Sequence, residues 1–413
     1  MKKLINRTKS YYWFLSISII LCTTGCSDDE GTETPVAESI IISSDISESL
    51  TMENIVSTEG APDYIVEGFL EVNADLIINP GVCIEFTANS GLFINNDGTI
   101  QASGTSIAPI KFTGVQKVPG FWRGIQVRAN DVRNELNHTI VEYAGSDFLA
   151  TYGTNIEIRG GVAIEGVTGS YGSLKVNNST IKDCDGYGLI VEQDAQLRAF
   201  GNNHFENNEL AAIRIDAENV GAIDASSGYT NNGLDGVEIN ASGSPLHKIT
   251  QDATWRALES GAVYRVDQSF DVEAELTILP ATVIEFEANQ TAVFKQDLDT
   301  PLGIIIAKGT MSEPITFTGV GKSAGYWQGL IIQSSSALNE MDYCIVEYGG
   351  SDPIAGELAN IGIDKDGAFG APELTVTNSI IRHSAGCGIV YEAGSLNYDG
   401  TTFSDNASFD VCL

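Results

Sequence analysis

TIKDCDGYGLIV at residues 180–191 is followed by HFENNELAAIRI at 204–215 and by GYTNNGLDGVEI at 228–239. Each segment begins 24 residues after the one before it, and apolar residues return at fixed places within it. A repeat of about 20 to 25 residues is typical of solenoid proteins, in which each unit stacks on its predecessor. The apolar positions form three columns: Ile181, Phe205 and Tyr229; Leu189, Ile213 and Val237; Val191, Ile215 and Ile239.

The segments alternate apolar and polar residues, as in GLIVE, AIRID and GVEIN, and this indicates short β-strands rather than helices. Glycine and asparagine separate the strands, as they do at turns. We therefore predict an all-β fold, a right-handed parallel β-helix with rungs of about 22–24 residues. Cys184, Asn208 and Asn232 form a further column, in which we expect the side-chain amides to hydrogen bond along the stack.

A longer duplication encloses this short period. LEVNADLIINPGVCIEFTAN (70–89) matches FDVEAELTILPATVIEFEAN (270–289). GTSIAPIKFTGVQKVPGFWRG (104–124) matches GTMSEPITFTGVGKSAGYWQG (309–329). Two tandem pseudo-repeats are therefore expected, and insertions between them fall in stretches rich in glycine, aspartate and proline, as loops allow.

These phrases resemble the right-handed parallel β-helix repeat lipoproteins of Bacteroidetes, which typically read L-I-P-G-T-V-I, P-I-F-T and W-G-I in this order. The corresponding stretches here are LTILPATVIEF (276–286), PITFTG (314–319) and YWQGL (326–330). The resemblance covers roughly residues 60–413. It is specific for the fold and says little about activity, because many such proteins have none assigned.

The N-terminus resembles a bacterial lipoprotein signal peptide, residues 1–25. A basic start precedes the apolar stretch YYWFLSISIILC (11–22), which is too short for an ordinary transmembrane helix. TTGC (23–26) then resembles a lipobox, although Thr23 stands where leucine is usual. We expect Cys26 to carry the lipid that attaches the protein to the membrane, with plain secretion as the alternative.

The acidic run SDDE (27–30) resembles the surface-export signal of Bacteroidetes lipoproteins, and the alternative is an ordinary polar tether. We predict an acidic tether and N-terminal cap region over 26–59. The two β-helix pseudo-repeats are then expected at 60–250 and 251–413, with a restart of the pattern at 249–266. The expected location is the outer membrane, with the protein exposed at the cell surface.

The chain is strongly acidic, with 55 Asp+Glu against 22 Lys+Arg and a formal net charge of −33. Binding to nucleic acid needs a basic surface, so no nucleic-acid partner is expected. The ordinary interpretation of such a surface is a solvated coat that favours solubility.

The cysteines that follow the signal peptide do not correspond between the two pseudo-repeats. A shared disulfide or metal framework would recur with the copies. We therefore expect five reduced, mostly buried cysteines: Cys83, Cys184, Cys344, Cys387 and Cys412.

Trp122 and Trp327 occupy the same place in the two copies, and each precedes a glycine, Gly124 or Gly329. One interpretation is structural: the ring covers the corner of a rung, and the glycine lets the chain pass close beneath it. The other is a platform on which a sugar ring stacks. The structural interpretation is favoured because the whole surrounding phrase recurs. The possible platform residues are Phe121, Trp122, Tyr326 and Trp327.

Carbohydrate-active β-helix enzymes need clustered aspartates with a basic residue, or paired carboxylates. The NTD and GHG motifs of polygalacturonase-like enzymes are absent, and no catalytic residue is predicted. No cofactor is expected, apart from a weak indication of calcium. For Glu192 and Asp216, one rung apart, we favour two solvated edge residues. The residues that would hold an ion are Asp183, Asp185, Glu192, Asp216, Asp364 and Asp366.

Three functions stay open at this point. The favoured one is non-enzymatic binding or adhesion to a polysaccharide or a surface protein. The alternatives are a polysaccharide lyase or glycoside hydrolase, and a structural component of the envelope. A concave acidic cleft with a central basic residue would favour the enzyme. A flat aromatic face would favour the binder, and a uniformly solvated face the structural role.

Overall fold

The computed structural model describes residues 37–58, 60–152, 156–167, 170–240, 247–296, 303–365 and 370–413, which belong to one compact unit. The predicted signal peptide, Cys26 and the acidic run that follows it lie outside these residues. Within them, no helix has both the length and the apolar character needed to cross a bilayer.

The first repeat consists of short strands, most of which follow one another around a coil. They are β1 (Ile40–Ile42), β2 (Leu50–Met52), β3 (Tyr64–Val66), β4 (Phe69–Val72), β5 (Asp75–Ile78), β6 (Cys83–Phe86), β7 (Gly91–Ile94), β8 (Thr99–Ser103), β9 (Ile110–Gly114), β10 (Gly124–Val127), β11 (Glu135–Asn137), β12 (Thr139–Glu142), β13 (Ala150–Tyr152), β14 (Ile156–Ile158), β15 (Gly160–Ile164), β16 (Gly166–Val167), β17 (Ser170–Tyr171), β18 (Ser173–Asn177), β19 (Thr180–Lys182), β20 (Tyr187–Val191), β21 (Gln196–Gly201), β22 (His204–Glu206), β23 (Ala211–Ile215), β24 (Gly228–Thr230) and β25 (Leu234–Ile239).

The second repeat continues the same coil. Its strands are β26 (Lys248–Ile249), β27 (Ala253–Trp255), β28 (Val263–Val266), β29 (Phe270–Val272), β30 (Glu275–Ile278), β31 (Val283–Phe286), β32 (Thr291–Phe294), β33 (Ile304–Lys308), β34 (Ile315–Gly319), β35 (Gly329–Ile332), β36 (Glu340–Asp342), β37 (Cys344–Glu347), β38 (Ala359–Ile363), β39 (Glu373–Thr377), β40 (Ile380–Arg382), β41 (Cys387–Tyr391), β42 (Ser395–Asn397), β43 (Thr402–Ser404) and β44 (Val411–Cys412). Two 3₁₀ helices lie near the boundary between the repeats, Ala217–Ala222 and Glu259–Gly261.

The strands stack into five parallel sheets, and two antiparallel hairpins, β13–β14 and β16–β17, lie outside these sheets. This is a right-handed parallel β-helix, which confirms the predicted fold. Sheet A contains β1, β3, β6, β9, β12, β19, β22 and β24; sheet B contains β4, β7, β10, β15, β20, β23, β25, β28, β31, β34, β37, β40 and β43; sheet C contains β2, β5, β8, β11, β18 and β21; sheet D contains β26, β29, β32, β35, β38, β41 and β44; sheet E contains β27, β30, β33, β36, β39 and β42.

The predicted columns of side chains are confirmed by the strand register. Phe205 pairs with Ile181 on one side and with Tyr229 on the other, and the rings of Phe205 and Tyr229 stack 5.9 Å apart. The corner ladder is also present. The Cys184 N–H donates to Asn208 Oδ1 (3.2 Å), and Asn208 Nδ2 donates to Asn232 Oδ1 (2.8 Å). Like side chains therefore stack on like, as the 24-residue period requires.

Sheet B is the sheet that passes from the first repeat into the second within the described residues, through the pair β25 and β28. Strands that correspond in sequence do not share a sheet. β6 lies in sheet A, whereas its counterpart β31 lies in sheet B, and β4 lies in sheet B, whereas its counterpart β29 lies in sheet D. The second repeat is therefore advanced by one face around the coil, and equivalent residues point to different sides of the molecule.

The coil begins earlier than the start of the first pseudo-repeat proposed from the sequence. β1 pairs with β3, and β2 pairs with β5, so residues 40–52 already form part of the first rung. The residues assigned to a tether and cap thus include strands of the solenoid.

The expectation that all five cysteines are reduced is wrong for two of them. Cys387 and Cys412 form a disulfide that joins β41 to the terminal strand β44. Cys83, Cys184 and Cys344 are free, and the last two are buried as expected. The first repeat has no matching pair, because Tyr187 stands there at the position of Cys387.

The disulfide should stabilise the last rung against unfolding. For Cys412→Ser we expect a loss of about 3 kcal/mol, because the bond closes a loop between residues that are 25 apart in sequence. Hydrogen exchange of β42 and β44 would measure this locally. A reducing agent should accelerate exchange in the parent protein and leave the variant unchanged. Equal protection of both proteins under oxidising conditions would contradict the prediction.

Candidate functional site

Three adjoining cavities open on the surface where the first repeat ends and the second begins, with volumes of about 300, 390 and 570 Å³. The first two share Glu218 and Asn219, and the last two share Gly221, Ala222 and Arg256. They form one continuous depression, which we call the junction groove. Its lining residues come from 193–197, 216–226 and 247–256.

A change in local structure creates the groove. After β20 the chain continues into β21, but after β23 it forms the 3₁₀ helix Ala217–Ala222 instead of another strand of sheet C. Asp216 is the N-cap of this helix. The helix packs against β21 on one side and against β26 and β27 on the other. A short helix fills less of the surface than a strand with its ladder partners, so a depression remains on both sides.

Hydrogen bonds hold both walls of the groove to the helix. Asn219 Nδ2 donates to the carbonyl oxygen of Ala195 (2.9 Å), and the Leu197 N–H donates to Asn219 Oδ1 (3.2 Å). On the second repeat, the Thr250 N–H and hydroxyl donate to the two carboxylate oxygens of Glu218 (2.6 and 2.9 Å). The groove is therefore a fixed feature of the junction.

Asp216 lies on the wall of the groove with only 3% of its surface exposed. Its Oδ1 accepts hydrogen bonds from the Asn219 N–H (3.2 Å) and side-chain amide (2.8 Å), while Oδ2 accepts none from the described residues. Burial raises the pKa of Asp216 to about 7, and the nearby charges of Glu218 and Asp194 contribute in the same direction. Near neutral pH this carboxyl group therefore exchanges a proton readily.

His247 lies on the same wall and is 5% exposed. Its Nε2 accepts a hydrogen bond from the Ala217 N–H (2.7 Å). Burial lowers the pKa of His247 to about 4, helped by the charge of Arg214, so the ring is neutral at pH 7 and carries its proton on Nδ1. Among the described residues Nδ1 has no hydrogen-bond partner, and the atom itself is fully buried. A buried donor without an acceptor is costly.

Acidic side chains outnumber basic ones along the groove. Lys248, one of the two cations, is paired with Glu273, with 2.9 Å between its Nζ and Oε2. Arg256, the other, donates from Nη1 to the Thr254 carbonyl oxygen (3.1 Å). The carboxylates of the lining are Asp194, Asp216, Glu218, Asp224 and Asp252.

The alternative interpretation of the two tryptophans, as platforms for a sugar, is wrong, because both are fully buried inside the coil. Trp122 stacks on Phe86 with ring centres 4.0 Å apart, and its Nε1 donates to the Glu142 carbonyl oxygen (2.7 Å). Trp327 stacks in the same way on Phe286, at 4.2 Å. No face of either ring is available to a sugar, so the structural interpretation holds.

The glycines that follow these tryptophans have the role expected of them. Gly124 and Gly329 have φ values of +123° and +122°. A Cβ on Gly124 would lie 2.8 Å from the carbonyl oxygens of Gly160 and Gly161. The remaining platform residues, Phe121 and Tyr326, are half-buried and pack against the core. The hydroxyl of Tyr326 also donates to Glu287 (2.9 Å).

The six candidate ion ligands do not form one site. Asp185 pairs with Arg159 (2.9 Å), and Asp183 lies 3.7 Å from the Lys182 ammonium group. Asp364 belongs to the second repeat, and Asp366 lies outside the described residues. Throughout the described ranges, no group of three or more potential metal ligands comes together.

Glu192 and Asp216 were expected as two solvated edge residues, and this is wrong for both. Glu192 is 6% exposed, and its Oε2 accepts a hydrogen bond from the Gly166 N–H (2.9 Å). Asp216 is the one residue of the candidate set that lines the groove. Glu192 is bonded to the hairpin β16–β17 through Gly166, and Asp216 caps the 3₁₀ helix. Neither element is visible in a 24-residue period.

The sequence analysis missed His247, Lys248, Glu218 and Asn219 as site residues. They belong to the end of one repeat or the start of the next, so no counterpart in the other copy draws attention to them. One signal was present in the sequence. DAENVGAIDASS (216–227) interrupts the strand pattern between two otherwise regular rungs.

Comparisons with known proteins add little to this description. No family model matches the chain. No curated protein matches it either. Among solved structures, a mutant of a periplasmic alginate epimerase is similar, with 10% sequence identity and a TM-score of 0.22 over 83% of this chain and 77% of that one.

Proposed function

We propose that this protein is a lipid-anchored, extracytoplasmic β-helix that binds a glycan in the junction groove without cleaving it. The observation that carries the proposal is the continuity of the groove. Three cavities share lining residues and form one trough, which suits an extended polymer better than a single small molecule.

The chemistry of the lining supports a glycan over an apolar ligand. Carboxylates, side-chain amides and hydroxyls are the most frequent groups among the described lining residues, beside a comparable share of apolar surface. Most small-molecule sites are largely apolar with a few polar groups. A groove with this many polar side chains matches a chain of hydroxyl groups, each of which both donates and accepts hydrogen bonds.

The location is proposed from two features that point the same way. The N-terminal segment resembles a lipoprotein signal peptide that ends before Cys26. A disulfide between Cys387 and Cys412 is typical of proteins outside the cytoplasm, where thiols are oxidised. We propose attachment to the outer membrane with the β-helix exposed at the cell surface.

Blocking the groove tests the binding function. Gln196 and Gln251 are exposed lining residues whose side chains make no hydrogen bond with the described residues. We expect Gln196→Trp and Gln251→Trp to weaken binding to any glycan that the parent protein retains by at least about tenfold, a change of about 1.4 kcal/mol. Binding would be measured against a panel of neutral, acidic and basic polysaccharides.

Gln116→Trp is the matched control, because Gln116 is exposed on a loop of the first repeat away from the lining residues. It should leave binding unchanged. Failure of the parent protein to bind any member of the panel would contradict the proposed function. Equal weakening by all three tryptophan variants would show that the groove is not the site.

A carbohydrate-active enzyme is the second candidate, and one observation favours it. Asp216 combines a pKa near 7 with a carboxylate oxygen that no described residue uses, on the wall of the groove. These are properties of a general acid or base. The same panel would therefore be examined for shortened chains. If the parent protein shortens a polysaccharide and Asp216→Asn does not, the protein is a hydrolase or a lyase and not a non-enzymatic binding protein.

A further inference from the structure

We propose that the junction between the two repeats contains a pH-sensitive clamp. In this clamp the 3₁₀ helix Ala217–Ala222 holds both walls of the groove while Asp216 is protonated, and it releases them when Asp216 ionises. The inference concerns the shape of the groove and holds whatever the ligand of the groove is. It combines two observations: one short helix is bonded to both repeats, and the side chain that caps this helix is a buried carboxyl group.

The helix is bonded to the two walls by side chains of adjacent residues. Asn219 contacts the first repeat, where its amide donates to the Ala195 carbonyl oxygen and its Oδ1 accepts from the Leu197 N–H. Glu218 contacts the second repeat, where both of its carboxylate oxygens accept hydrogen bonds from Thr250. A change in the position of this one helix therefore changes both walls together.

Asp216 orients the residue that holds the first wall. Its Oδ1 accepts hydrogen bonds from the Asn219 N–H (3.2 Å) and from the Asn219 side-chain amide (2.8 Å). If the carboxyl group moved away, the first turn of the helix would lose its cap and the Asn219 amide would lose an acceptor. Asn219 would then be less firmly held against Ala195 and Leu197. The cap and the wall are thus coupled through one side chain.

Ionisation makes the observed position of Asp216 unfavourable. The side chain is 3% exposed, and its Oδ2 accepts no hydrogen bond from the described residues. A charged carboxylate would strengthen the two bonds with Asn219, but burial and the charges of Glu218 and Asp194 act in the opposite direction. Burial outweighs the hydrogen bonds, and the pKa of Asp216 is raised to about 7. The ionised group reaches water when it turns into the cavity that it lines, at the cost of the cap.

Other ionisable groups lie around Asp216 on each neighbouring element. They are Glu192 on the preceding rung, Asp194 before β21, Arg214 on β23, Glu218 on the helix, and His247 and Lys248 on the second repeat. Arg214 is paired with Glu238 at 2.6 Å. Lys248 is paired with Glu273 at 2.9 Å. Burial lowers the pKa of His247 to about 4, so above pH 5 its Nε2 stays an acceptor for the helix. We therefore assign an opening between pH 5 and pH 7 to Asp216.

Hydrogen exchange of the parent protein at intervals from pH 5 to pH 8 tests the clamp. The reporters are the N–H groups of Leu197, Asn219 and Thr250, whose hydrogen bonds form it. Opening exposes Asp216 and returns its pKa towards 3.8, so protection of these amides should fall about tenfold per pH unit up to pH 7, after correction for intrinsic exchange. Above pH 7 it should level off. The amides of Lys111 and Thr316, in regular rungs, should be more protected at pH 8.

Two variants change the titration in different ways. Asp216→Asn does not titrate and keeps an oxygen atom that caps the helix, so protection of the reporters should be independent of pH. Asp194 is exposed, and its φ of +67° is one that asparagine adopts more readily than most residues. Asp194→Asn removes a like charge from the surroundings of Asp216, so protection should level off at a lower pH. Glu313→Gln, an exposed change of the same charge in the second repeat, is the control and should follow the parent.

Each outcome decides for or against the clamp. Protection of the three reporters that does not change between pH 5 and pH 7 in the parent would overturn it. Equal exchange of the reporters and of the amides in regular rungs would show that ionisation acts on the whole molecule, and would also overturn it. A fall that persists in Asp216→Asn would assign the titration to another group. Glycan binding is measured separately, so its absence would contradict the proposed function and leave the clamp intact.

Discussion

Replacement of Trp122 by alanine should lower the free energy of unfolding by about 3–5 kcal/mol, one of the largest effects expected of a single substitution in this chain. Trp122 is completely buried, and its ring lies 4.0 Å from that of Phe86 at an angle of 11°. Alanine would leave a cavity in a stack that continues on both sides. It would also leave the Glu142 carbonyl oxygen without its donor from the indole nitrogen.

Thermal and urea unfolding of Trp122→Ala and the parent protein would measure the loss. Trp122→Phe keeps an aromatic ring against Phe86 and removes the Nε1 donor, so it should cost less than the alanine variant. Val118→Ala, on the loop before the tryptophan, is the control. Val118 is 54% exposed, so this change should stay within about 0.5 kcal/mol.

Trp327 provides a second measurement of the same effect within one molecule. Its ring lies 4.2 Å from that of Phe286, and its Nε1 donates to the Glu347 carbonyl oxygen (2.8 Å). Trp327→Ala should therefore cost about as much as Trp122→Ala. A tryptophan variant that unfolds like the parent and yet loses glycan binding would contradict the structural role and restore the platform hypothesis.

The fold was predictable because stacking turns a periodic sequence into a periodic structure. Ile181, Phe205 and Tyr229 pair in the register that their spacing implies, and the ladder through Asn208 follows from the same 24-residue step. The register between rungs is a local property, since each rung contacts mainly its neighbours. A sequence period therefore contains most of the information that determines the coil.

The junction groove was not predictable in this way, because it arises where the period fails. The 3₁₀ helix Ala217–Ala222 replaces a strand, and the second repeat starts one face further around the coil. Groups that are distant in sequence, such as Asp194 and Lys248, then line one cavity. The 24-residue period of the sequence does not indicate how the two repeats are joined. The side of the molecule on which each residue lies therefore cannot be derived from the period.

The Cys387–Cys412 disulfide escaped prediction for a related reason. Comparison of the two copies identifies what every rung needs, and the disulfide belongs to the last rung alone. Asp216 was named as a candidate from its position one rung above Glu192, but its burial depends on the helix that it caps. The disulfide and the burial of Asp216 could thus be found only from the three-dimensional structure, whereas the stacking of regular rungs could be predicted from the sequence.

Asp216→Asn should make the protein more stable relative to the parent as the pH rises, by about 4 kcal/mol between pH 4 and pH 8. The pKa of Asp216 is raised from 3.8 to about 7, mainly by burial. Between these values the native state binds a proton that the unfolded state has lost, so the free energy of unfolding of the parent falls as the pH rises. Above about pH 7 the loss is complete. Asparagine does not titrate, and its side-chain oxygen still caps the helix.

Melting temperatures of the two proteins at intervals from pH 4 to pH 8 would measure this difference. His247 gives an opposite slope, because its pKa is lowered to about 4, so the stability it contributes above pH 6.5 is lost as the pH falls towards 4. This contribution is common to both proteins and cancels in the comparison. Glu313→Gln, an exposed change of the same charge, should stay within about 0.5 kcal/mol of the parent at every pH.

The same variant should bind less tightly any glycan that the groove retains, because an amide donor replaces the Oδ2 acceptor of Asp216. A residue that destabilises the native state at neutral pH and yet improves ligand binding is typical of a functional site. If Asp216→Asn were no more stable than the parent at pH 8, the carboxyl group would be ionised without difficulty in the groove. The acidic wall would then be well solvated, and the case for Asp216 as a general acid or base would lose its physical basis.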